Sequence, residues 1–278
     1  MRRFALAALV LAGCNSQPAG QEPAAEPAAI TFDGATVTQA AAKVAHGERL
    51  TYVLGCRGCH RKDLQGDTWD DDPKGYGVLW SSNLTRAIPA MTDAQLRDLL
   101  TKGVHPHRKE LWVMPAELFQ HLAPADINAL IAHLRTLEPE GHPTPDPKPG
   151  PLVIKEIKSG KAETAETLVK ERRDMLPFDA GPEFALGRYI TEVTCAECHG
   201  PRLEGHQDEE GGTPNLIVAG GYTRAEFETL LTKGVLPNGR KFKNPLMGQV
   251  AKSRFSHLTP HERDALFAYL KARAEQAP

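Results

Sequence analysis

The chain has no cysteine to spare. Of its five cysteines in 278 residues, four fall in two short motifs and the fifth, Cys14, lies near the N-terminus. No pair is left over for a structural disulfide. A charge excess of one sign is also missing: the net charge of −2 gives a polyanion nothing to hold, so no nucleic-acid partner is implied. No hydrophobic run is long enough to cross a bilayer. The one near the start, residues 4–11, falls far short of the roughly 20 residues a spanning helix needs. Strand patterns are scarce, and methionine occurs only five times. What remains, 41% apolar and 24% charged, is ordinary for a globular protein long enough for two domains.

Arg2 and Arg3 precede the short apolar run, which ends in Leu11-Ala12-Gly13-Cys14. Basic, apolar and small residues in that order form a secretory signal. The last four residues resemble the lipobox of bacterial lipoproteins. That resemblance implies a signal peptide at 1–13, cleavage before Cys14, lipid on the Cys14 sulfur and a stable anchor to the inner or outer membrane. An ordinary signal peptide with Cys14 incidental is the alternative. Residues 14–35 read as a flexible tether, because Asn15 to Ala29 is mostly Gln, Pro, Ala and Glu and cannot bury a core.

The two cysteine motifs are Cys56-Arg57-Gly58-Cys59-His60 and Cys195-Ala196-Glu197-Cys198-His199. C-x-x-C-H is the attachment pattern of c-type haem. Cysteines three apart share one face of a helical turn, so both sulfurs reach one porphyrin edge, and the next residue turns its imidazole to the iron. The motifs therefore predict two covalently bound haem c groups, with His60 and His199 as proximal iron ligands. A redox dithiol or a four-cysteine zinc site is the competing use of such pairs. A dithiol does not need a His after each second Cys, and a zinc site would need both pairs to converge, whereas each pair carries its own set of haem-pocket features. Covalent haem attachment takes place on the oxidising side of the inner membrane, which agrees with export to the periplasm.

The motifs lie in an internal repeat. Gly47 precedes the first and Gly187 the second; Leu64 and Gly66 follow the first as Leu203 and Gly205 follow the second. Ser82-Asn83-Leu84 matches Pro214-Asn215-Leu216, and the hexapeptide Leu-Leu-Thr-Lys-Gly-Val occurs at 99–104 and again at 230–235. Its Gly reads as a helix stop. A Met comes next in each copy, Met114 and Met247, then a last helix opened by Pro124 or Pro260. Between the copies run six prolines from 139 to 151, a semi-rigid spacer. Residues 152–157 read as a short strand and 161–173 as a short polar helix.

This order resembles class I cytochrome c, and its repetition resembles the dihaem c-type cytochromes. The first copy, with Asn83-Leu84-Thr85, Gly103-Val104-His105-Pro106 and Met114-Pro115, is similar to a domain of alcohol dehydrogenase cytochrome c subunits. The resemblance implies an all-α fold of two tandem class I cytochrome c domains, at 36–140 and 182–275, joined by a Pro-rich linker at 141–181. It also places the sixth iron ligand at Met114 and Met247, where core packing is the commoner use of methionine. His105, His107, His206, His257 and His261 are rival ligands. Closed Met/His sites move single electrons and do no bond chemistry on a substrate. The expected role is therefore electron carriage, not catalysis, between redox partner proteins such as a dehydrogenase, an oxidase or a small carrier. A dihaem peroxidase or thiosulfate-type oxidoreductase, with one open haem site, is the alternative. From 224 to 254, seven bases (Arg224, Lys233, Arg240, Lys241, Lys243, Lys252, Arg254) face two acids (Glu226, Glu228). Ordinary solvated loops are the first reading of such a run; the alternative is a positive rim around the haem edge that would steer an acidic partner. Asp63, Asp67, Asp70, Asp71 and Asp72 come after the first motif instead.

Overall fold

The structure, a computed structural model, describes residues 29–207, 212–240, 242 and 245–277. Cys14, the expected signal at 1–13, Lys241 and Lys243 lie outside the described residues. In order, the first half holds α1 (Ala40–Val53), α2 (Cys56–Cys59), β1 (Thr68–Asp72), β2 (Gly77–Trp80), α3 (Leu84–Ala87), α4 (Asp93–Lys102), α5 (Ala116–Phe119) and α6 (Pro124–Leu134). A connecting stretch holds β3 (Lys148–Pro149), α7 (Pro151–Lys158) and α8 (Ala165–Arg172). The second half holds α9 (Ala185–Ile190), α10 (Ala196–His199), α11 (Arg224–Lys233), α12 (Leu246–Ser253) and α13 (Pro260–Gln276). Helix dominates, as expected. Among the described residues, no helix is long and apolar enough to cross a membrane.

Each half is built on a close helix crossing. Helix α1 meets α6 at Gly47, where any side chain would overlap the Ala129 carbonyl; α9 meets α13 at Gly187, against the Ala265 carbonyl. Helices α4 and α11 begin with full capping boxes, Thr92 with Gln95 and Thr223 with Glu226. Both end on a left-handed glycine, Gly103 at φ 66° and Gly234 at φ 67°, as the hexapeptide predicts.

The halves then exchange contacts reciprocally. Asp126 and Glu262 each stand two residues after the proline that opens the last helix, and both are fully buried. Arg49, two residues after Gly47, crosses to Glu262 with bonds of 2.7 and 2.9 Å. Tyr189, two residues after Gly187, crosses back and donates to Asp126 at 2.8 Å. The hydroxyl of Tyr189 also accepts from the Ala123 backbone at 3.0 Å, whereas in α13 the matching N–H, of Thr259, goes to that helix's own Glu262 at 2.8 Å. Nearby, Tyr52 stacks on His257 while Glu192 pairs with His121 at 2.9 Å. Matching positions thus meet across the junction, as across a twofold axis. Two buried carboxylates are tolerable because each sits in the first turn of a helix and is met by several donors.

Asp126 accepts from the Phe32 backbone, His46 and Tyr189 together. Its replacement by alanine strands all three donors, a loss of about 3 kcal/mol or more. Urea unfolding of Asp126→Ala will show it as a lowered midpoint.

Three expectations need correction. The tether ends before residue 35: Phe32 is 1% exposed and Asp33 donates its N–H to Glu262. Residues 152–157 are not a strand but lie in α7. Pro151 starts the helix behind Gly150, and a lone segment satisfies its backbone groups within itself. The proline run, read as a semi-rigid spacer, is instead tied down on the first half. Asn83 donates to the carbonyls of Glu140 and His142 at 2.9 and 3.0 Å, and β3 adds to a three-stranded sheet in the order β1-β2-β3. Farther on, α8 buries Ala165 and Val169 near Ala116, and Ala165 donates to the Leu111 carbonyl at 2.8 Å. The connecting stretch is a clamp on the first half, over the loop that carries Met114.

Candidate functional site

Both cysteine motifs form a single helical turn just after the first helix of their half. In the first, α1 ends at Leu54, and Gly55, at φ 81°, restarts the chain as α2. In the second the same step is one residue shorter, and a widened π turn over Thr191–Cys195 feeds α10 directly. Both routes put the two cysteines one turn apart. None of the four is in a disulfide.

Beyond the cysteines the two halves match bond for bond. The Nδ1 of His60 donates to the Ser82 carbonyl at 2.7 Å, and that of His199 to the Pro214 carbonyl at 2.8 Å. Ser81 and Thr213 donate their hydroxyls to the carbonyls of Cys59 and Cys198 at 2.6 and 2.7 Å. The N–H groups of Gly66 and Gly205 bond the His60 and His199 carbonyls at 3.0 and 2.8 Å. Those of Leu84 and Leu216 bond the Leu64 and Leu203 carbonyls at 2.8 and 2.9 Å. Leu64 and Leu203 sit left-handed, at φ 60° and 62°, and are fully buried. The strained backbone drives each leucine into the core behind its histidine.

The consequence for each imidazole is direct. With Nδ1 committed to a carbonyl, Nε2 carries the free lone pair. Burial pulls both His60 and His199 below the ordinary imidazole pKa, against the opposing effect of the carbonyl bond, so the rings stay neutral. A neutral, oriented imidazole behind two one-turn-spaced thiols fits a covalently attached haem c on the iron-ligand side. The competing readings fit less well. Burial pushes the Cys56 and Cys195 thiols up to about 11, opposite to the thiolate a redox dithiol needs. Among the described residues no three His, Cys, Asp or Glu side chains converge as a metal-holding group, which disfavours the four-cysteine zinc site.

The methionines are less alike. Met114 lies in a loop, partly buried, with its carbonyl accepting from Ala116 at 2.8 Å. Met247 is partly buried too, but in the first turn of α12 and not in a loop. The rival histidines have other partners. His105 caps its own turn through the N–H groups of His107 and Arg108, both at 3.1 Å. His206 lies 3.0 Å from the Thr213 hydroxyl, His257 stacks on Tyr52, and His261 pairs with Asp33 at 2.9 Å.

The expected basic rim is weaker than its composition. Arg224 is paired with Glu228 and Asp264, and Arg254 is mostly buried against Glu197. The acidic stretch after the first motif is not loop throughout: Asp70, Asp71 and Asp72 belong to the β1–β2 hairpin. Sequence reasoning misses Ser81, Thr213 and the two accepting carbonyls. The repeat of Ser82-Asn83-Leu84 as Pro214-Asn215-Leu216 marks the place but not the role.

Residues 184–274 match the sequence model of the family described as Cytochrome c. No curated protein matches the chain. The second half thus carries a cytochrome c domain, which implies covalently bound haem c with iron and electron transfer.

Proposed function

We propose that the chain is a dihaem c-type cytochrome of two tandem class I domains that passes single electrons between redox partner proteins. In this reading it works on the periplasmic side, held at the membrane by lipid on Cys14. One observation carries the dihaem part. The hydrogen bonds that orient His199, inside the matched cytochrome c segment, recur at His60 outside it. A site with the same thiols, the same ring tautomer and the same supporting hydroxyl is built for the same group.

When bound, the haem iron supplies a reversible one-electron change and nothing else. The chain's residues do the rest. Cys56 with Cys59, and Cys195 with Cys198, hold the porphyrin edge. The carbonyls of Ser82 and Pro214 fix the two imidazoles and raise their basicity as ligands. Met114 and Met247 are the residues we assign to complete the iron's ligand set when the group is bound. A thioether favours the reduced iron, and an occupied sixth position keeps substrates away.

A redox titration of purified protein, followed by absorption and spin state, tests this. Two haems per chain, both low-spin and both slow to bind carbon monoxide, are expected. One haem per chain would refute the dihaem reading, and a high-spin haem that takes up carbon monoxide at once would refute the carrier role. The ligands have their own test. Met114→Ala will remove the long-wavelength methionine–iron band of one haem and lower its potential, and Met247→Ala will do so for the other. An unchanged spectrum rules the altered methionine out.

A further inference from the structure

One buried cation at the junction between the halves has no charged counterpart at the matching position. Arg254 lies just after α12, four residues before Leu258; the matching position in the first half, four before Leu122, is Leu118. The Arg254 side chain is only 12% exposed. On one side it is forked to Glu197, which lies between Cys195 and Cys198; NH1 donates to Oε2, and NH2 to Oε1 at 3.3 Å. On the other side its guanidinium lies against Gly55, the residue before Cys56, where any side chain would overlap it. One guanidinium is thus wedged between the two attachment turns.

We infer that Arg254 is a shared tuning residue: one charge, held between the two attachment turns, sets the potential of both haems. The inference rests on the dihaem reading above. A cation close to an iron porphyrin disfavours the more positive, oxidised state, and Glu197 offsets part of that effect. Removing the guanidinium alone leaves the carboxylate uncompensated beside both sites, so both haems become harder to reduce. Removing the carboxylate alone does the reverse. At about 10 Å and an effective dielectric near 20, one unit charge changes the reduction equilibrium on the order of tenfold, which is ~59 mV for one electron.

The experiment is a spectroelectrochemical titration of the full chain beside its Arg254→Leu, Arg254→Lys and Glu197→Gln variants, with covalent haem counted first. Both midpoints should fall by about tenfold in equilibrium terms in Arg254→Leu. They should rise in Glu197→Gln, and stay near the parent values in Arg254→Lys. A purely structural role would not give shifts of opposite sign from the two ends of one ion pair. Should Arg254→Leu not accumulate as folded protein, Glu197→Gln alone decides. Two haems of which one or neither moves would overturn the shared role and leave the dihaem reading intact. One haem per chain would overturn both.

Discussion

Replacing Cys195 and Cys198 together with alanine will leave half of the haem that survives denaturation. Replacing Cys56 and Cys59 will leave the other half, and replacing all four will leave none. The halves are separable because each pair of sulfurs occupies its own turn, behind its own histidine, with no shared metal-holding cluster among the described residues. The readout is haem stain on a denaturing gel, in which only thioether-linked haem stays with the chain. The cost should extend to folding. Cys56 and Cys195 pack against the hydrophobic core, so a half without its porphyrin loses a large apolar partner as well as two covalent links. Full staining after removal of either pair would show that these cysteines do not hold haem.

Gly47→Ala will be the most destabilising single-methyl change in the first half. The added carbon would overlap the Ala129 carbonyl and stand 2.9 Å from the His133 Cβ. The obstacle is backbone in the middle of α6, so the relief available is for the two helices to move apart. That movement pulls His46 and Arg49, on the same helix, away from Asp126 and Glu262. Overpacking at such a crossing costs about 3 kcal/mol, and Gly187→Ala, against the Ala265 carbonyl and Tyr269, should behave alike. Gly221→Ala is the control: nothing lies within 4 Å of the added carbon, and its effect should stay within about 0.5 kcal/mol. Thermal or urea unfolding of the three variants checks the order. Equal midpoints for Gly47→Ala and Gly221→Ala would mean that the crossing is looser than described.

Much of the fold and of the candidate site is legible in the residues alone. The attachment motifs and the helix stops at Gly103 and Gly234 come from residue type and spacing, because a thioether pair and a left-handed cap each admit few side chains. Gly47 and Gly187 show as repeat positions, and only the fold shows that they are helix crossings. The features that escape are set by distant partners. The β1–β2 hairpin carries Asp70, Asp71 and Asp72 with no alternation of apolar residues, and owes its form to pairing among β1, β2 and β3. Residues 152–157 are rich in branched apolar side chains and look like a strand, but they follow Gly150 and Pro151, which start α7. In the sequence Arg254 is one more base among seven. Only the folded chain encloses its head group between Gly55 and Glu197, each far from it along the chain.

The clamp formed by α8 has a consequence for how the molecule divides. The proline-rich stretch from 139 to 151 invites a cut, yet chain beyond it still belongs to the first half through Ala165, Val169 and the ion pair of Arg172 with Glu117 at 3.2 Å. The natural joint lies later, near Met175 and Leu176, which are exposed, just before Pro177 and Phe178 accept from Arg188 and Tyr269 of the second half. A fragment ended at the prolines would leave the Met114 loop uncovered; one ended after Arg173 would carry its own lid.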